Sequence, residues 1–129
     1  MKSKFSKKWV KSKQVRKQRK YIFNAPLHIK SKFLNAHLSQ ELRKKHGKRS
    51  LRVRTGDKVK VMRGTYKGHE SKVERVDVKK EKIYLEKIEV SKKEGSKSKV
   101  PFKASNLLIT NLNLDDKKRV QKLKLKGEQ

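Results

Sequence analysis

The sequence predicts a mainly β protein. A small barrel is expected over residues 51–114, with a basic N-terminal extension over 1–50 that holds a short helix near 39–46, and a short basic C-terminal tail over 115–129. Three observations predict this. Apolar residues alternate with polar ones at Val59 and Val61, Ile83 and Leu85, Ile88 and Val90, and Leu112 and Leu114, the period of strands with one buried face. Gly64 and Gly68 punctuate the space between two such strands. Only 32% of the 129 residues are hydrophobic, enough to fill one small core but not to bury the whole chain.

From residue 1 to residue 40 no acid occurs, and residues 2–20 carry ten Lys or Arg. A block of like charge without apolar periodicity is expected to lack regular structure in isolation and to order along a polyanion. Its aromatic residues are Phe5, Trp9, Tyr21 and Phe23. Such rings stack on unpaired RNA bases or dock an arm onto its own domain. Both uses stay open for Tyr21 and Phe23, and for Trp9 RNA is favoured over docking. Asn24-Ala25-Pro26 reads as a turn. Over 39–46 a short helix is predicted: Ser39 suits the N-cap, Glu41 the positive end of the helix dipole, and Arg43, Lys44, Lys45 and His46 the negative end, with Gly47 as the stop.

Within the barrel the alternation slips phase between Val73 and Val76 and again between Leu85 and Ile88, which predicts bulges where a small sheet curls. Residues 93–96 read as a hairpin tip, and Pro101 confines its stretch to an edge strand. Asp115 and Asp116 are expected to start one short helix containing Val120 and Leu123, a second and shorter arm.

The charge narrows the partner. Forty Lys and Arg against twelve Asp and Glu give a formal net charge of +28, which calls for an extended polyanion. Nucleic acid fits, because each phosphate neutralised releases a condensed counterion. A membrane surface fits poorly: apolar runs reach three residues, as at Leu107-Leu108-Ile109, and no apolar stretch of signal-peptide or spanning length follows the positive N-terminus. With no cysteine, disulfides and thiolate metal sites are excluded, consistent with a cytoplasmic protein. The histidines, His28, His37, His46 and His69, form no metal-ligand spacing. His69 and Glu70 are strand neighbours that point to opposite faces, and the Gly64 loop lacks the Gly-Lys-Ser/Thr ending of a nucleotide-binding loop. The chain is read as a binding protein, not an enzyme, with no cofactor, metal or small-molecule substrate.

The informative stretch is residues 57–73, DKVKVMRGTYKGHESKV. Gly64 and Gly68 allow positive φ at the ends of a tight loop from which Tyr66 and Lys67 project. Arg63, Lys67 and His69 on the loop, with Lys58, Lys60 and Lys72 beside it, make a surface for phosphate and sugar, and Tyr66 a base-stacking tip. This stretch resembles the KOW motif, a strand, glycine-bounded loop and strand within an SH3-like barrel. Ser71 stands where many such motifs carry a third glycine, which implies ordinary φ or some strain there.

KOW modules also occur in transcription elongation factors, but an accompanying α/β domain and balanced charge are absent; a DNA-compacting protein would not need the glycine loop. The segments Asn24-Ala25-Pro26-Leu27-His28, Leu38-Ser39-Gln40-Glu41-Leu42-Arg43, Arg49-Ser50-Leu51-Arg52-Val53-Arg54, Ser105-Asn106-Leu107-Leu108-Ile109 and Leu112-Asn113-Leu114-Asp115-Asp116 are similar to those of one family. It is the universal large-subunit ribosomal protein twenty-four family, called protein twenty-six in eukaryotes, and the short tail is closer to its archaeal form. The resemblance implies a structural protein of the cytoplasmic ribosome that binds large-subunit ribosomal RNA early in assembly, near the polypeptide exit tunnel and beside other large-subunit proteins. Matched residue by residue, the implied RNA contacts are Lys58, Lys60, Arg63, Gly64, Tyr66, Lys67, Gly68, His69 and Lys72, with the basic lead-in at Arg16, Lys17, Arg19 and Lys20.

Overall fold

The computed structural model describes residues 5–124. Lys2 and Lys4 of the basic run, and the tail beyond Lys124, lie outside the described residues.

The first element is a helix, α1 (Val15–Asn24), in a stretch whose charge predicts no regular structure. Arg, Lys and Gln are strong helix formers, and Tyr21 anchors the helix edge-on against Phe33, with ring centroids 6.3 Å apart. These two effects outweigh like-charge repulsion along the helix. Ala25 and Pro26 are extended and make the expected turn into α2 (Leu27–Lys30), which continues as a 3-10 turn over Ser31–Leu34. Strand β1 (Asn35–Leu38) comes next, then α3 (Gln40–His46). The caps of α3 are those read from sequence: Ser39 Oγ accepts from the Leu42 N–H at 3.4 Å, and Gly47, at φ 64°, donates to the Arg43 carbonyl at 2.9 Å.

Six further strands follow: β2 (Ser50–Arg52), β3 (Lys58–Val61), β4 (Glu70–Asp77), β5 (Lys82–Ser91), β6 (Lys97–Phe102) and β7 (Leu107–Asn111). Together with β1 they form a mixed seven-stranded sheet in the order β2-β1-β7-β3-β4-β5-β6. Among the described residues only β1 and β7 pair in parallel; every other pair is antiparallel. The small SH3-like class is therefore the observed one. Curling of the sheet rests on β4, whose first residues pair with β3 and whose last pair with β5. A register slip between Val73 and Arg75 lies at that change of partner, and a second falls in β5 between Tyr84 and Glu89, where Lys87 takes φ 62°. Both are where the apolar alternation loses phase. Pro101 is on β6, an edge strand, as its missing N–H leads one to expect.

Leu34, Ala36, Leu38, Val59, Val61, Ile83, Leu85, Leu107 and Ile109 are buried in one continuous core, drawn from residues on both sides of position 51. Each buried Val, Leu or Ile side chain stabilises the fold by roughly 1.5–3 kcal/mol. One alternating pair departs from expectation: β7 ends at Asn111, and Leu112 and Leu114 lie beyond it, with Leu114 exposed. The chain leaves the sheet there because the Asp57 carboxylate takes the Asn113 N–H at 2.8 Å.

The last element, α4 (Lys117–Lys124), starts at the acidic pair as expected, with Asp116 Oδ1 accepting from the Lys118 N–H at 3.0 Å. It is not an arm. Arg119 and Leu123 are buried, and Arg119 pairs with Asp57 at the start of β3.

Candidate nucleic-acid interface

Strand alternation builds the first basic surface. On β3, Val59 and Val61 enter the core and Lys58 and Lys60 turn outward; on β4, Val73 enters and Glu70 and Lys72 turn outward. Register sets Lys58 opposite Lys72 and Lys60 opposite Glu70, so three lysines and one carboxylate share a face. Lys58 Nζ lies 3.7 Å from the Glu70 carboxylate. An exposed pair of this kind contributes little, and the face remains positive.

The β3–β4 connection continues that face. Gly64 and Gly68 have φ 92° and 90°, as the sequence requires. The loop is closed by the Gly68 N–H donating to the Val61 carbonyl at 2.8 Å and the Val61 N–H to the His69 carbonyl at 2.9 Å. Arg63, Lys67 and His69 are exposed on it. Tyr66 is the exception. Its ring is half-buried, edge-on to Phe102 at 5.9 Å and to His69 at 5.9 Å, so it caps the core and is not a projecting tip. Ser71 keeps ordinary φ, and its hydroxyl donates to the Glu86 carbonyl at 2.6 Å.

A second basic surface surrounds α1. Arg16, Lys17, Arg19 and Lys20 are all exposed on this helix. Arg19 and Lys20 line a cleft of about 1030 Å³ between α1 and the barrel, with Lys30, Lys79, Lys80, Lys82 and Lys103 as its other cations and Glu81 as its one acid. Sequence reasoning missed these five lysines. The signal was present in the run Lys79-Lys80-Glu81-Lys82 at a tight turn between strands, where every side chain has access to solvent.

Residues 102–106 touch both surfaces. Phe102 receives the Tyr66 ring, the Met62 N–H donates to the Asn106 carbonyl at 2.8 Å, and Lys103 lines the cleft. The fold thus gathers Lys58, Lys60, Lys72 and the loop cations on one face, and sets Arg19 and Lys20 in a neighbouring one. Among the described residues no group of three or more His, Asp or Glu is placed to hold a metal ion, and no helix is long and apolar enough to cross a membrane.

Residues 12–126 match the model of a family described as the eukaryotic L26 and archaeal L24 ribosomal proteins. The chain belongs to this family. It is 51% identical over 117 residues to the large ribosomal subunit protein uL24 of Methanocella arvoryzae, covering 91% of this chain and 94% of that one. With the uL24 of Methanocorpusculum labreanum it shares 46% identity over 118 residues, covering 92% and 98%. The family consists of structural ribosomal proteins and not of enzymes, and its archaeal form is the one matched. The glycine loop, the outward lysines and α1 all fall inside the matched residues; Phe5 and Trp9 precede them.

Proposed function

We propose that this protein is a constituent of the large ribosomal subunit that binds large-subunit ribosomal RNA through two adjoining basic surfaces, with neighbouring large-subunit proteins as its other partners. The first surface comprises Lys58, Lys60, Arg63, Gly64, Lys67, Gly68, His69 and Lys72, with Tyr66 supporting the loop from beneath; the second is α1 with Arg16, Lys17, Arg19 and Lys20. The observation that carries this reading is the outward face of β3 and β4 continuing into a glycine-closed cationic loop, on a chain of net charge +28 within a ribosomal family. A rigid barrel positions the loop against phosphates, and charge supplies affinity through counterion release. An early role in assembly, a place near the polypeptide exit tunnel and a cytoplasmic location are further parts of this proposal, which the family resemblance supports.

Sedimentation of a native lysate on a sucrose gradient tests the proposal. Co-migration with the large subunit that persists in moderate salt is the expected result, and a wholly free pool would sink it. Cross-linking onto ribosomal RNA then locates the contacts, with Lys67 and Arg19 expected among the linked residues.

A further inference from the structure

Ahead of α1 the chain folds back on the helix. Trp9 stacks on Tyr21 with ring centroids 4.6 Å apart and planes 16° from parallel, and Phe5 lies 5.1 Å from the same ring. Tyr21 is in turn held edge-on by Phe33, so the cluster is fixed to the barrel side of the helix. Phe5, Ser6, Trp9 and Tyr21 line a pocket of about 230 Å³, with Lys17 and Lys20 of α1 completing the wall one helical turn apart. Phe5, Ser6 and Trp9 lie ahead of the residues that match the family, so family membership gives no account of this pocket.

We infer that this pocket binds one unstacked nucleobase of single-stranded RNA, with Lys17 and Lys20 on the flanking phosphates. The inference rests on the RNA-binding reading above and adds a specific site to it. Size is the first argument. Pockets for drug-sized ligands run to roughly 300–1,000 Å³, so the observed volume suits a single ring system. Chemistry is the second: Trp9 and Phe5, backed by Tyr21, supply aromatic surface of the kind every base can use, and the cations at the wall are both lysines, which suit phosphate and not an apolar or cationic ligand. Pre-stacking of Trp9 on Tyr21 is the third. A platform already ordered loses less entropy on binding than rings on a free arm.

Trp9 is the chain's one tryptophan, so its emission reports on this pocket alone. Titrating the full chain with a single-stranded oligoribonucleotide is expected to quench that emission, while poly-glutamate of equal charge binds without quenching. Trp9→Leu should weaken binding of labelled oligoribonucleotide roughly five-fold or more without changing the salt dependence. Lys17→Gln with Lys20→Gln should instead lower the log–log salt slope by about 1.4. Trp9→Phe, which keeps a ring, should restore part of the lost affinity. Quenching by poly-glutamate equal to that by RNA would mean an acidic peptide or a rearranged arm, and would overturn the inference. So would RNA that binds with full salt dependence and leaves Trp9 emission unchanged, with the ribosomal reading intact. Failure to bind RNA at all would sink both.

Discussion

Arg119 of α4 holds Asp57 in a bidentate ion pair, with Nη1 and Nη2 of the guanidinium each 2.6 Å from a carboxylate oxygen. Asp57 is 0% exposed and Arg119 4%. The carboxylate also accepts the Arg54 N–H at 3.0 Å and the Asn113 N–H at 2.8 Å, and the guanidinium donates to the Asn113 carbonyl at 2.9 Å and the Arg52 carbonyl at 3.0 Å. This pair joins the start of β3 to the C-terminal helix, at the opposite end of the strand from the glycine loop.

Breaking it is therefore expected to be costly. Arg119→Ala leaves a buried carboxylate with only two N–H donors, and should lower stability by about 3–5 kcal/mol. Equilibrium urea unfolding measures this as a shift in midpoint. Asp57→Asn with Arg119→Met should recover part of the loss, because no uncompensated charge then remains buried. Equal stability of Arg119→Ala and wild type would show that α4 does not support the barrel.

Asp116 reinforces the same junction from the surface. The Lys118 N–H, and after it Arg54, hold its carboxyl below the usual carboxylate range. A depressed folded-state value means that the contribution is present above the ordinary carboxylate range and is lost as pH falls through the folded value. Acid unfolding of Asp116→Asn should accordingly show a shallower pH dependence than that of wild type below the ordinary carboxylate range. Superimposable acid limbs would remove Asp116 from the account.

How much of this was legible in the sequence depends on whether a residue acts locally. Ser39 and Gly47 cap α3 through neighbours three and four residues away, and both were readable. The slips at Val73 and Leu85 were visible because alternation registers a bulge directly. Arg119 was not, since one arginine in a lysine-rich tail looks like any other solvated cation until Asp57, 62 positions earlier, is brought to it. The packing of Tyr66 is hidden for the same reason. Its partner Phe102 lies on another strand, and nothing in the motif indicates that the loop folds over it.

Gly56 carries a constraint of that non-local kind. It takes φ 88°, and a Cβ built there would lie 2.5 Å from Asn113 Nδ2, whose amide donates to the Thr55 carbonyl at 3.2 Å. Gly56→Ala should cost about 1–3 kcal/mol from backbone strain and overpacking together. In an Asn113→Ala background the same substitution should cost less. Gly64→Ala, where nothing lies within 4 Å of the added Cβ, should show the backbone part alone. If Gly56→Ala costs no more than Gly64→Ala in urea unfolding, the Asn113 contact carries no weight.

Tyr66 separates support from contact. A free stacking tip would leave the barrel as stable as before when truncated, whereas a ring packed on Phe102 would not. Tyr66→Ala should lose about 1–3 kcal/mol, less than a fully buried aromatic because the ring is half-exposed. Tyr66→Phe keeps the packing and should stay close to wild type. A fully stable Tyr66→Ala with weakened RNA binding would return Tyr66 to the interface.

The arm can be tested through salt. Reversing Lys17, Arg19 and Lys20 together, each to Glu, removes three exposed cations from α1 without touching the core. If each contacts one phosphate, the log–log dependence of RNA affinity on salt should flatten by about 2 to 3, at roughly 0.7–0.9 per contact. Lys79, Lys80 and Lys82 face the same cleft from the barrel side, so their replacement by Gln should flatten the slope further and should do so additively. Anisotropy titrations of a labelled ribosomal RNA fragment across a salt series give the slopes. An unchanged slope in the α1 variant would mean that those side chains remain solvated in the complex, and would move the RNA contacts wholly onto the glycine-loop face.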